Sequence, residues 1–162
     1  TRIDIYLPVS TGISVAEVEE DAAHHEAAII QSETTVLVVD DEPELLEIAT
    51  SYLQELGYSV LSASGGQEAL GVLAKSPGVD VLMTDVVMPG GMSGVVLSRT
   101  AKQLYPDLSV VYLSGYPTDI IEGNSGNTLG APLISKPYNL ATLANGIIEA
   151  MQSTTHLPNR ID

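Results

Sequence analysis

Five polar residues in this chain have the types and setting to do chemistry together. They are Asp40 and Asp41 after Thr-Val-Leu-Val-Val, Asp85 in Met-Thr-Asp-Val-Val-Met-Pro-Gly, Ser114 after Val-Val-Tyr-Leu, and Lys136 in Ile-Ser-Lys-Pro-Tyr. The stretch before each reads as a buried strand. In a parallel α/β sheet the strand ends gather at one edge, where ligands bind. Folding would then assemble three carboxylates, a hydroxyl and an ammonium, a set suited to Mg²⁺ and a phosphoryl group. Asp85 is the expected nucleophile, since a carboxylate can accept a phosphoryl group as an acyl phosphate. A phosphate donor is itself anionic, and Mg²⁺ offsets the repulsion by bridging oxygens and neutralising charge. The ion takes one or two carboxylates and keeps several waters, so Asp40 and Asp41 complete its ligand set.

Two carboxylates about 4 Å apart repel by roughly 4 kcal/mol at an effective dielectric near 20. Such a cluster persists only with a cation or with a raised pKa. The plain alternative is that Asp40 and Asp41 cap a helix starting near Pro43, a task for which one aspartate is enough. Lys136 would neutralise a phosphoryl oxygen as a point charge, and Ser114 would hydrogen-bond one beside the Gly115 N–H. Their plain alternatives are a surface lysine and a turn serine. Only four Lys or Arg lie between Thr35 and Met151, which singles out one at a strand end before proline.

The elements that must position these residues alternate in type. Strands are expected at Thr35–Asp40, Tyr58–Ala63, Val79–Thr84, Leu108–Leu113 and Leu133–Ser135, with apolar runs typical of parallel sheets. Helices are expected at Glu44–Leu56, Gln67–Lys75, Val95–Tyr105 and Leu140–Met151, with at most a short one at Pro117–Glu122 before the Gly/Asn/Ser-rich stretch Gly123–Gly130. Pro43 suits a first helical turn, and Gly57 a left-handed C-terminal cap. Pro89-Gly90-Gly91 is a turn at the rim beside Asp85. Five βα units imply an α/β fold: a five-stranded parallel sheet with helices on both faces. The expected strand order is the flavodoxin-like 2-1-3-4-5.

The flanks read differently. Residues 1–8 alternate like a half-buried strand, with Ile3, Ile5 and Leu7 on one side. Its sheet partners are not in view, so it is expected to be the remnant of an upstream domain. Residues 9–34 form an acidic linker containing Glu17, Glu19, Glu20, Asp21 and Glu26. A Ser14–Glu17 capping box and a stripe of Val15, Val18, Ala22, His25 and Ile29 give it helical character. It is read as a connector that docks or forms a weak homodimer. Residues 152–162 show no pattern and are taken as a tail. His24 and His25 point about 100° apart on a helix and make a poor chelate. They are read, like His156, as ordinary surface histidines.

Composition removes several functions. The chain has 162 residues, a formal net charge of −15 and no Cys. That charge repels nucleic acid and anionic lipid, so neither DNA nor membrane contact is expected of this fragment. Without Cys there are no disulfides and no thiolate metal sites, in keeping with a cytoplasmic setting. No run is long enough to span a membrane and no secretory signal is visible.

Taken together, the motifs over Thr35–Met151 resemble the receiver domain of two-component response regulators. The resemblance implies a phosphoryl group passed to Asp85 from a phosphohistidine on a kinase or phosphotransfer protein. It implies Mg²⁺ held by Asp41, Asp85 and the Val87 carbonyl, with Asp40 helping through water. Ser114 and Lys136 become the switch hydroxyl and the phosphate-binding lysine. Arg2–Pro8 resembles the last strand of a histidine-kinase ATP-binding domain, and Met-Pro-Gly-Gly-Met-Ser-Gly and Leu-Ser-Gly-Tyr resemble receivers fused to such kinases. The resemblance implies as parent a hybrid sensor histidine kinase, a class that includes membrane-attached members, with this receiver at its C-terminus. One departure stands out: many receivers carry an aromatic three residues before the lysine, and here that position is Leu133. Two rivals remain. A Mg²⁺ phosphohydrolase using Asp85 would need a nearby general acid, and Val87 offers none. A degenerate receiver acting only as an interaction module would have no use for the intact acidic set.

Overall fold

A computed structural model of the chain describes residues 34–115 and 129–155. The expected strand remnant at 1–8, nearly all of the linker, the short helix at 117–122 and the tail beyond Thr155 lie outside those residues. Within them the order is β1 (Thr35–Val39), α1 (Pro43–Glu55), β2 (Ser59–Ala63), α2 (Gly66–Lys75), β3 (Val81–Asp85), α3 (Gly94–Leu104), β4 (Ser109–Ser114), β5 (Leu133–Ser135) and α4 (Leu140–Thr155). All four strand pairings are parallel, in the order β2-β1-β3-β4-β5.

The strand sequences explain the layers. Side chains alternate faces along a strand, so β1 sends Val36 and Val38 one way and Leu37 and Val39 the other. The first pair joins Met83, Val111, Leu113 and Ile134 beneath α1 and α4. The second pair joins Leu82, Val110 and Tyr112 beneath α2 and α3. Both faces are therefore covered, and Val36 to Val39 have no exposed surface. Truncating a fully buried leucine such as Leu37 to Ala would cost roughly 2–5 kcal/mol.

Helix ends follow local chemistry. Pro43 occupies the first turn of α1, where its missing N–H costs nothing. Gly57 ends α1 at φ 90°, with Gly57 N–H on Gln54 O and Tyr58 N–H on Leu53 O, the paired bonds of a Schellman cap. The Ser93 hydroxyl accepts the Val96 N–H at the start of α3. Most boundaries differ from expectation by one residue, and two elements differ by more. β3 begins at Val81 rather than Val79 and ends on Asp85 itself. α4 runs to Thr155 rather than stopping at Met151; in its last turn the Ser153 and Thr154 hydroxyls bond back to Glu149 O and Ala150 O, and Ser109 Oγ donates to Thr154, tying that turn to β4. No helix among the described residues is long and apolar enough to cross a membrane.

Candidate functional site

The C-terminal ends of β1, β3, β4 and β5 converge. β1 and β3 are hydrogen-bonded neighbours with Val39 beside Thr84. Adjacent strands lie about 4.8 Å apart, so acids placed just past one strand and at the end of the next must meet. One carboxylate oxygen from each of Asp40, Asp41 and Asp85 lies within 4.8 Å of the others. Asp40 and Asp85 are buried at 1% and 6% exposure, while Asp41 is half-buried.

Lys136 reaches into this cluster from the end of β5. Its Nζ donates to Asp40 Oδ2 and to Asp85 Oδ2, each at 2.7 Å. The remaining oxygens are held by backbone: Asp40 Oδ1 accepts the Glu42 N–H at 3.0 Å, and Asp85 Oδ1 accepts the Val87 N–H at 3.1 Å. Both aspartates are thus fixed in rotamer and aim. Burial is the largest single influence on the Lys136 ammonium and acts to lower its pKa. The hydrogen bonds and charges of Asp40 and Asp85 together outweigh it and hold the pKa above the usual lysine value of 10.5. Three carboxylates against one ammonium leave a formal charge of −2. All the ligand atoms on offer are hard oxygens, the donor type that Mg²⁺ selects. The residues present therefore fit a divalent cation.

Each expected site residue can be located. Ser114 ends β4, buried at 3%, and its carbonyl accepts the Lys136 N–H at 2.8 Å. Val87 lies in the loop after β3 with 62% of its surface exposed. The turn at Pro89–Gly91 is exposed beside it, with Gly90 at φ 79°. Leu133 opens β5 at 38% exposure and pairs in register with Tyr112. Neither aspartate is the N-cap of α1: that residue is Glu42, whose side chain makes no cap bond, and at that helix end Asp40 reaches only the Glu42 N–H.

Two supports went unnoticed in the sequence. Tyr138, two residues after Lys136, donates its hydroxyl to Leu45 O at 3.3 Å and so ties the loop after β5 to α1. Burial, then the Asp40 charge, push its pKa from 10.0 up to about 12. Thr84 and Gly94 form the second support, behind Asp85. Thr84 is fully buried, and its hydroxyl donates to the Asp85 carbonyl at 3.0 Å. The available signal was a glycine, not a helix former, at the first position of a Ser-capped helix.

Residues 36–148 match the response regulator receiver domain, and the chain belongs to that family. Among individual relatives, the sensor kinase CckA of Brucella abortus is 33% identical over 127 residues, covering 78% of this chain but only 13% of that protein. The response regulator receiver protein CpdR of the same organism is 30% identical over 112 residues, covering 69% of this chain and 92% of its own length. Among solved structures, the response regulator TrrA of Thermotoga maritima in complex with Mg²⁺ and BeF superimposes with a TM-score of 0.63 at 27% identity, covering 72% of this chain and 98% of that one.

Proposed function

We propose that this receiver is a Mg²⁺-dependent phosphoacceptor of a phosphorelay, and that Asp85 is the residue modified. The observation that carries the reading is the Lys136 ammonium, 2.7 Å from both Asp40 and Asp85 inside a three-carboxylate cluster. The Asp40, Asp41 and Asp85 carboxylates and the Val87 carbonyl would hold the ion. Mg²⁺ held there would neutralise the charge that builds on the phosphoryl oxygens. Asp85 supplies the attacking oxygen. As its bond to phosphorus forms, the bond from phosphorus to the donor histidine nitrogen breaks and its electron pair stays with the imidazole. Lys136 gives up its bond to Asp85 and pairs with a phosphoryl oxygen. The Ser114 hydroxyl donates to another. That the TrrA structure carries Mg²⁺ and BeF supports this ligand chemistry for the same fold.

The donor is a phosphohistidine on a histidine kinase or phosphotransfer protein. The likeness to a sensor kinase supports a hybrid kinase as the parent chain. With a net charge of −15, the fragment acts through proteins and not on nucleic acid.

The test is intact mass after incubation with acetyl phosphate, with and without Mg²⁺, using Asp85→Asn as control. One phosphoryl group gained, only with Mg²⁺ and only on the wild-type chain, is expected. No gain despite Mg²⁺ binding would sink the phosphoacceptor reading and favour an interaction module.

A further inference from the structure

The carboxylate of Asp85 is held from the front by Lys136 and Val87. Its backbone is held from behind, and that contact has an unusual shape. A Cβ built on Gly94 would stand 1.9 Å from the Asp85 carbonyl oxygen, 2.9 Å from its carbon and 2.8 Å from Thr84 Oγ1, where ordinary contact begins at 3.4 Å. Gly66 and Gly146 are also crowded, at 2.8 Å by Met92 Cβ and at 2.6 Å by Ile134 Cδ1, but those are side-chain atoms. Among the described glycines, Gly94 alone meets backbone. Its φ is outside the left-handed region, so what requires glycine here is space and not conformation.

The contact belongs to a clamp. The Gly94 N–H donates to Val86 O at 3.1 Å, and the Val86 N–H donates to Leu113 O at 3.0 Å. Residues 85–87 are therefore gripped between β4 and the first turn of α3. Val87 N–H in turn fixes Asp85 Oδ1. Thr84 Oγ1 fills the remaining space and bonds the same carbonyl that Gly94 touches. Any atom added at Gly94 must lift α3 from the strand end or push the Asp85 peptide forward by more than an ångström.

We propose that Gly94, with Thr84, is a positioning residue for the phosphoacceptor. The close approach of α3 sets the depth and aim of the Asp85 carboxylate and of the Val87 carbonyl. The assignment rests on the phosphoacceptor reading above. In-line attack needs reacting atoms about 3–3.5 Å apart, and an error near 1 Å can cost about a hundredfold in rate. Asp40 and Asp41 come from β1 and do not depend on this contact. Asp85 and Val87 are two of the four groups that would hold Mg²⁺, so a shift there should weaken Mg²⁺ binding in part and slow transfer at saturating Mg²⁺ by a larger factor.

The experiment follows phosphorylation of the full 162-residue chain by acetyl phosphate. Maximal rate per folded molecule, half-saturating Mg²⁺ and melting temperature are measured for wild type, Gly94→Ala, Thr84→Val and Gly71→Ala. Gly71 lies in α2 with nothing within 4 Å of an added Cβ and controls for substituting a helical glycine. For Gly94→Ala the maximal rate should fall by about ten- to a hundredfold, with half-saturating Mg²⁺ moving by a smaller factor. Gly71→Ala should keep the wild-type rate. If Gly94→Ala is unfolded by circular dichroism, Thr84→Val decides, and a severalfold slower rate on a folded chain supports the assignment. A wild-type chain that is modified, beside a folded Gly94→Ala (or, failing that, Thr84→Val) modified equally fast, overturns the positioning role alone. A wild-type chain that takes no phosphoryl group overturns the underlying function, and this role with it.

Discussion

The two edges of the sheet both carry acidic residues, and only one of them gathers those residues together. At the C-terminal edge, Asp40, Asp41 and Asp85 share a space under 5 Å across with the Lys136 ammonium between two of them. At the N-terminal edge, Asp80 and Asp107 border a cleft of about 550 Å³ that also touches Leu104, Tyr105 and Met151. The cleft is roomy, yet its acids have no common target. Asp80 is occupied by the Thr35 N–H at 2.8 Å, a structural bond that ties the start of β1 to the segment before β3. Asp107 is exposed. Carboxylates gain chemistry here from enforced proximity, burial and a shared cation, and the size of a cavity is a poor guide to that.

The contrast can be tested from its strongest side down. Asp41→Asn should abolish most Mg²⁺-dependent phosphorylation, read by intact mass, because it removes one of three carboxylates without touching the Lys136 bonds. Full modification of that variant would mean the acidic edge is not the metal site. Lys136→Met should slow phosphorylation by about a hundredfold, the usual scale for losing one preorganised charge stabiliser. It also strands two buried carboxylates, so stability should fall by about 3 kcal/mol or more. Added Mg²⁺ should recover part of that loss by binding only the folded chain, and melting curves with and without Mg²⁺ would reveal it.

Tyr138→Phe should cost less, about 0.5–1.5 kcal/mol near neutral pH, because one hydrogen bond disappears. Its informative effect is alkaline. The folded pKa of Tyr138 is raised from 10.0 to about 12. Its contribution to stability is therefore intact below pH 10 and is lost as pH climbs towards 12. Lys136, also raised, behaves alike: its share is intact below 10.5 and is lost above. Wild-type melting temperature should drop through this window, and Tyr138→Phe should flatten the drop without removing it. The chain lacks Trp but has seven Tyr, so the difference in tyrosinate absorbance between wild type and Tyr138→Phe isolates the same titration. Asp107→Asn, at the other edge, should leave phosphorylation unchanged and move stability by no more than about 0.5 kcal/mol.

Most of the fold was legible because continuous apolar strands and capped helices leave few alternatives. Val36–Val39 had to be buried on both faces, and Pro43 and Gly57 marked both ends of α1. The site was legible for the same reason, since its residues sit at strand ends that parallel topology brings together. The last turn of α4 was hidden, because it carries Ser and Thr and no apolar stripe, and its tie to the sheet is a bond from Ser109, distant in the chain. The clamp behind Asp85 was hidden too. It depends on the distance between a helix and a strand end, and no local pattern in the sequence encodes that distance.

Lys136 joins residues that are 96 and 51 positions away in the chain. Contacts of such long separation must pay loop-closure entropy before they reward it. A growing polypeptide could expose Asp40 and Asp85 well before Lys136 leaves the ribosome, but the pocket would lack its cation. On the proposed function, the chemistry would become available only when the fifth strand docks. Competence to accept a phosphoryl group would then report that β1, β3 and β5 have come together, with α4 still to follow in the chain.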